Sequence, residues 1–134
     1  MLMELTLTLA KTKRKSPEAD TCRAWLKWLK LQFPDVYSQV IKIDNEGVSH
    51  RANAVSLGLH VGASDYFLAW PTIEYYGCWL EIKPDGWKLN KSKQEHHDRQ
   101  MAFGEKMRQV GYAFYFCVGI DEMMQATKDY LSCS

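Results

Sequence analysis

An α/β layer fold with a mixed central β-sheet flanked by helices is what this chain predicts, in the order β-α-β-α-β-β-α-β-α. Three observations predict it. Apolar residues recur every three or four positions in two long stretches, Glu18–Phe33 and His96–Val110, as helices packed on one face require. Elsewhere they alternate or cluster in short runs ended by glycine or proline, as strands do. Two of those runs, Asp65–Trp70 and Cys78–Lys83, follow each other across a short connection, so two strands stand side by side in the chain.

A length of 134 residues fits one domain, 1–134, with a sizeable core. At 46% hydrophobic and 25% charged residues the composition is that of an ordinary globule. No apolar run approaches the ~20 residues that cross a bilayer, and Met1-Leu2-Met3-Glu4 lacks the basic-then-apolar form of a secretory signal. The expectation is a cytoplasmic protein with no membrane partner. Cys22, Cys78, Cys117 and Cys133 are scattered without a C-x-x-C pair, which reads as reduced thiols and not as a zinc site. A net charge of +1 announces no partner, so local clusters matter more.

Glu4–Leu9 alternates, with Leu5, Leu7 and Leu9 on one face of an expected strand. The basic run Lys11-Thr12-Lys13-Arg14-Lys15 follows, either a solvated linker or an arm for phosphates. Ser16-Pro17-Glu18 is a helix start: a capping hydroxyl, proline in the first turn and an acid near the positive end of the dipole. That helix runs to Phe33, before Pro34, and Glu18 shares its face with Cys22, Trp25, Leu29 and Phe33. Tyr37–Ile43 predicts a strand, ended by the turn Asp44-Asn45-Glu46-Gly47. Ser49–Leu57, with His50 and Arg51, predicts a short helix closed by Gly58.

A glycine-bearing loop then leads into the strand that follows Asp65, and Pro71–Gly77 connects it to the strand Cys78–Lys83. Pro84-Asp85-Gly86 breaks that strand. Beyond a loop with Lys88, Lys91 and Lys93, a long helix from about Ser92 to Gln109 is stopped by Gly111. Its face carries His96, Gln100, Phe103, Met107 and Val110. Tyr112–Val118 is an aromatic, buried strand, and Asp121–Leu131 a final helix packing through Met123, Met124, Thr127, Tyr130 and Leu131. Trp25, Trp28, Tyr115 and Phe116 read as core, whereas Trp87 stands in a polar loop.

The chemistry concentrates at Leu80-Glu81-Ile82-Lys83. Alternation puts Glu81 and Lys83 on one face of their strand, with Leu80 and Ile82 on the other. The neighbouring strand can bring Asp65 beside them, giving two carboxylates for a hard cation and an ammonium to position water. The plainer alternative is a surface Glu/Lys pair, because E-x-K alone is common.

Glu18 in the first helix, Asn45-Glu46-Gly47, Gly62-Ala63-Ser64-Asp65, Glu81-Ile82-Lys83, a helix bearing Gln100 and then Gly111-Tyr112 form an ordered set. In that order and spacing the chain resembles the virus-type replication-repair nuclease (VRR-NUC) domain, a branch of the PD-(D/E)xK phosphodiesterases, over about residues 16–131. The resemblance implies a restriction-endonuclease-like core and a stand-alone copy of the domain. It also implies that Asp65, Glu81 and the backbone carbonyl of Ile82 bind Mg²⁺ or Mn²⁺, with Glu18 helping directly or through water. Lys83 would hold the attacking water, and Gln100, or Gln94 in competition, would reach the site from its helix. The family usually has proline before the aspartate; here Ser64 stands in its place, at a position that shapes the strand entrance and ligates nothing.

Oxygen ligands suit Mg²⁺ better than zinc. His96 and His97 stand about 100° apart around a helix, so only one is expected to face the sheet. His96 is placed near the site as a phosphate contact and His97 on the surface. Lys13, Arg14, Lys15, Arg51, Lys88, Lys91 and Lys93 are the remaining candidates for DNA contacts, of a backbone-reading kind. Stand-alone members of the family resemble dimeric junction resolvases, so the resemblance implies a homodimeric, structure-specific endonuclease on branched DNA, a four-way junction or a flap. Three other readings stay open: a monomeric flap or general nuclease, a non-catalytic DNA-binding module, and an interaction protein with an incidental E-x-K.

Overall fold

The computed structural model describes residues 17–44, 58 and 62–133. The expected strand Glu4–Leu9, the arm with Lys13, Arg14 and Lys15, the cap at Ser16, the turn Asn45–Gly47 and the helix Ser49–Leu57 with His50 and Arg51 lie outside the described residues. Within them run α1 (Pro17–Gln32), α2 (Pro34–Tyr37), β1 (Val40–Lys42), β2 (Tyr66–Leu68), β3 (Cys78–Lys83), α3 (Gln94–Gln109), β4 (Ala113–Val118) and α4 (Gly119–Leu131).

The strands form one mixed sheet in the order β1-β2-β3-β4. The β1–β2 and β2–β3 pairs are antiparallel, and β3–β4 is parallel. A parallel pair needs a crossover, and α3 supplies it. Helices α1 and α4 pack on one face, where Trp25, Leu29, Leu80, Ile82, Met123 and Tyr130 make a fully buried core. Helix α3 covers the other face, with Trp79 against Phe103 at 5.0 Å between ring centres. At Gly104 its backbone lies on the Phe114 ring so closely that an added Cβ would sit 2.3 Å from it.

One hydrogen bond ties the helical layer together. The Trp25 indole N–H donates to Thr127 Oγ1 at 3.0 Å, and that hydroxyl donates to the Met123 carbonyl at 2.8 Å. Both side chains are fully buried. Thr127→Val keeps the shape and strands the indole N–H, so chemical denaturation should read a loss of about 1–3 kcal/mol. Trp25→Phe in the same background should recover part of it.

Several elements differ from expectation. Tyr37 does not begin a strand: Pro34 opens a short helix, and β1 starts only at Val40. Asp65 lies in a bend ahead of β2, outside the ladder. Asn90 accepts from the Lys93 N–H, turning Lys91–Lys93 into a 3₁₀ turn, and α3 begins at Gln94 instead of Ser92. Its buried face holds Gln100, Phe103 and Gly104, while His96 and Val110 are exposed. Helix α4 starts at Gly119, whose φ of 83° lets the chain leave β4 straight into a helix. Gly111, at φ 99°, follows the end of α3 as the sequence predicts. No helix among the described residues is long and apolar enough to cross a membrane.

Candidate metal centre

Strand β3 is longer than its neighbour. Tyr66 at the start of β2 pairs with Leu80, so Glu81, Ile82 and Lys83 run on with β4 on one side and no β2 residue on the other. The Ile82 N–H would be left open there. Asp65 fills the gap, its Oδ2 accepting from that N–H at 2.7 Å. The N–H and C=O of a strand residue leave the same edge, so the Ile82 carbonyl also faces the Asp65 side.

Glu18 arrives from the helical layer. Trp25 meets the Tyr66 ring edge-on at 5.3 Å, fixing α1 over the start of β2. Two helical turns earlier on the same face, Glu18 reaches the end of β3. One oxygen from each of Glu18, Asp65 and Glu81 lies within 4.8 Å of the others. Glu81 is buried to 1% exposure, and its Oε1 has no hydrogen-bond partner. A buried orphan acceptor among three carboxylates fits a hard divalent cation, and among the described residues no nitrogen or sulfur joins the set.

The electrostatics follow from burial. The Glu81 carboxyl is pushed up to about 9, first by desolvation, then by the negative charge of Asp65 beside it, against the opposing pull of Lys83. Lys83 Nζ stands 3.5 Å from Glu81 Oε2, with its side chain 12% exposed. Without a cation the folded state therefore holds a proton that the unfolded chain releases near 4.5. Its contribution to stability is complete below about 4.5 and is lost as pH rises toward about 9. A cation bound by the ionised group works the other way. The rise in Tm on adding Mn²⁺ should thus grow from pH 6 to pH 9, and thermal melts with Mn²⁺ or chelator across that range check it.

Two pockets flank the acids. One, of about 320 Å³, is bounded by Glu18 and Asp65 together with Arg23, Lys42, Cys22 and Tyr66. Burial, aided by the charges of Asp65 and Glu18, pushes the Cys22 thiol up to about 11, which keeps it protonated and a poor metal ligand. Arg23 and Lys42 were not legible as site residues, because nothing in their spacing marks them. The second pocket, of about 290 Å³, has Lys83, Trp87, Lys93, His96, His97 and Gln100 on its walls.

Gln100 is 4% exposed and shares that pocket with Lys83, whereas Gln94 is exposed and bonded to Asp98 at 2.8 Å. His96 Nε2 meets the Gln100 amide nitrogen at 3.1 Å. His97 departs from expectation. It is half-buried, wedged between Trp87 and Phe116, because the Trp87 loop folds back over the start of α3. Lys88 and Lys91 are exposed nearby, and Lys93 is half-buried. Ser64 is fully buried at the strand entrance.

Fold and site together define a class: a restriction-endonuclease-like α/β domain whose overhanging strand carries a carboxylate centre beside a lysine. No family model and no curated protein matches the chain. Among solved structures, one described as a VRR_NUC domain protein superposes with a TM-score of 0.74, covering 90% of this chain and 93% of its own at 18% sequence identity. The likeness is one of fold, the fold that the order of residues resembles.

Proposed function

We propose that this protein is a divalent-metal-dependent endonuclease that hydrolyses phosphodiester bonds in branched DNA, working as a homodimer on four-way junctions. The observation that carries the reading is the meeting of Glu18, Asp65 and Glu81 within 4.8 Å, beside Lys83. Those acids and the Ile82 carbonyl would hold Mg²⁺ or Mn²⁺. Such a cation, when bound, supplies an acidified water and offsets charge on the phosphorus centre. Lys83 Nζ orients the attacking water and balances charge at the same oxygens. Gln100 secures that lysine's surroundings from α3.

Arg23 and Lys42 on one side of the acids, and Lys88, Lys91, Lys93 and His96 on the other, suit contacts to the DNA backbone. Lys13, Arg14, Lys15 and Arg51 would extend that surface. None of the described groups forms a base-reading set, so recognition is of shape and phosphate, with affinity falling steeply as salt rises. The dimer rests on the resemblance and on symmetry, since two related sites match the two strands of a junction. Four free thiols suit a reducing cytoplasm.

Labelled four-way junction, flap and linear duplex, incubated with Mg²⁺, Mn²⁺ or chelator, test the reading, with a light-scattering mass beside them. Symmetric, metal-dependent junction nicks by a dimer support it. Flap cutting by a monomer would replace the junction assignment. Metal-independent binding without cuts would leave only a DNA-binding module.

A further inference from the structure

The pocket on the far side of Lys83 from the acids, whose Lys93 and His96 suit backbone contacts, has the chemistry of a defined anion site. Lys83 Nζ lies 5.7 Å and Lys93 Nζ 5.2 Å from the centre of the same Trp87 ring. One indole thus gathers two ammonium groups over its electron-rich face. Trp87 is itself held by Phe116 at 5.4 Å and His97 at 5.9 Å between ring centres. Lys93 Nζ donates to the Lys88 carbonyl at 3.2 Å and makes no ion pair among the described residues. Among the described residues no carboxylate lines this pocket; Lys83 is paired with Glu81 behind it, which leaves Lys93 as the cation without a counter-charge there.

Its polar wall has unused capacity. Gln100 Oε1 is buried without a partner, and so is Nδ1 of His97. An amide turned end for end would let Gln100 Oε1 accept from the His96 Nε2–H. Ser92 lines the pocket beside Lys93, its hydroxyl now donating to Asn90 Oδ1 at 2.8 Å, a surface bond that a phosphate oxygen would replace. A volume of about 290 Å³ is near the lower end of small-ligand sites, roughly 300–1,000 Å³, and is large for a bare ion.

We infer that this pocket is a nucleotide-phosphate subsite, in which Lys93, Ser92 and Lys83 seat a phosphate one position away from the bond that is cut. Its place in catalysis rests on the nuclease reading; its binding chemistry does not. Lys83 belongs to both sites, touching Glu81 on one side and lining the pocket on the other, so a strand seated here leads straight to the acids.

The probe is thymidine 3′,5′-bisphosphate, titrated by calorimetry into the full chain at low salt with chelator and no divalent metal. Saturable binding at one site is expected, weakened at least tenfold by Lys93→Ala, several-fold by Ser92→Ala, and partly restored by Lys93→Arg. Lys93 sits on a surface turn, and circular dichroism checks that the variants fold. Thymidine without phosphate should not bind. Wild-type affinity in Lys93→Ala, equal binding of thymidine, or no binding of the bisphosphate at all would each overturn the inference.

Two further arms separate the sources of the phosphate. A methylphosphonate beside the cut weakens binding if the pocket takes a backbone phosphate; removing a 5′-terminal phosphate weakens it if the pocket takes a strand end. Either loss, made insensitive in Lys93→Ala, supports the pocket, and neither loss refutes it. A chain that binds the bisphosphate through Lys93 but cuts no DNA keeps this subsite and loses the nuclease. One that cuts DNA without Lys93-dependent binding does the reverse.

Discussion

Asp65→Asn is expected to abolish cleavage, by about three orders of magnitude or more, while leaving the fold intact or slightly stronger. The amide oxygen can still accept from the Ile82 N–H now bonded at 2.7 Å, so the end of β3 stays pinned. What disappears is one of three carboxylate oxygens and the negative charge next to a buried acid. Losing a ligand removes several kcal/mol of charge stabilisation, and each 1.36 kcal/mol is about tenfold in rate. Losing the charge relaxes Glu81, whose carboxyl Asp65 helps to hold up near 9. Without metal the variant should melt at the same temperature as the parent, or higher by up to about 1 kcal/mol of stability. With Mn²⁺ the parent should gain stability and the variant little. Single-turnover cleavage and paired melts read both effects. Full activity in Asp65→Asn would end the metal-centre reading.

Lys83→Met is expected to lose activity by about 10²–10⁴-fold and, unlike Asp65→Asn, to keep its response to metal. Methionine preserves much of the stem that lies under Trp87 and removes only the ammonium. Breaking a buried pair by removing one partner ordinarily costs about 3–5 kcal/mol, because a bare charge is left behind. Here Glu81 escapes that by holding its proton: the pull that Lys83 exerts on its carboxyl is downward, so its loss drives the group further up. The stability change should therefore be small at neutral pH and grow in alkali. Metal binding should persist and shift to higher pH. If Lys83→Met and Asp65→Asn lost the Mn²⁺ response alike, Lys83 would be a scaffold for the acids and not a group acting on water.

Much of the architecture was legible along the chain. Strand β3, Cys78–Lys83, and the stop of α3 before Gly111 follow from alternation and from the one backbone conformation that glycine favours. The run from Tyr37 misled, because proline at position 34 has a strong local preference that opens a helical turn before the strand. His97 misled for a different reason. Helical spacing alone puts it about 100° from His96, yet both line one pocket once Trp87 folds over the helix start. Arg23 and Lys42 gave no signal at all, since they gain meaning only beside Glu18 and Asp65.

The sequence by itself determined that Leu80 and Ile82 turn inward and that Glu81 and Lys83 share the opposite face, because the strand period is a property of the backbone. Only the tertiary structure decided that Glu18 and Asp65 come to that face and that Glu81 sits where a carboxylate resists ionising. Distances between remote segments and the loss of water around a group arise from packing, which no local spacing encodes.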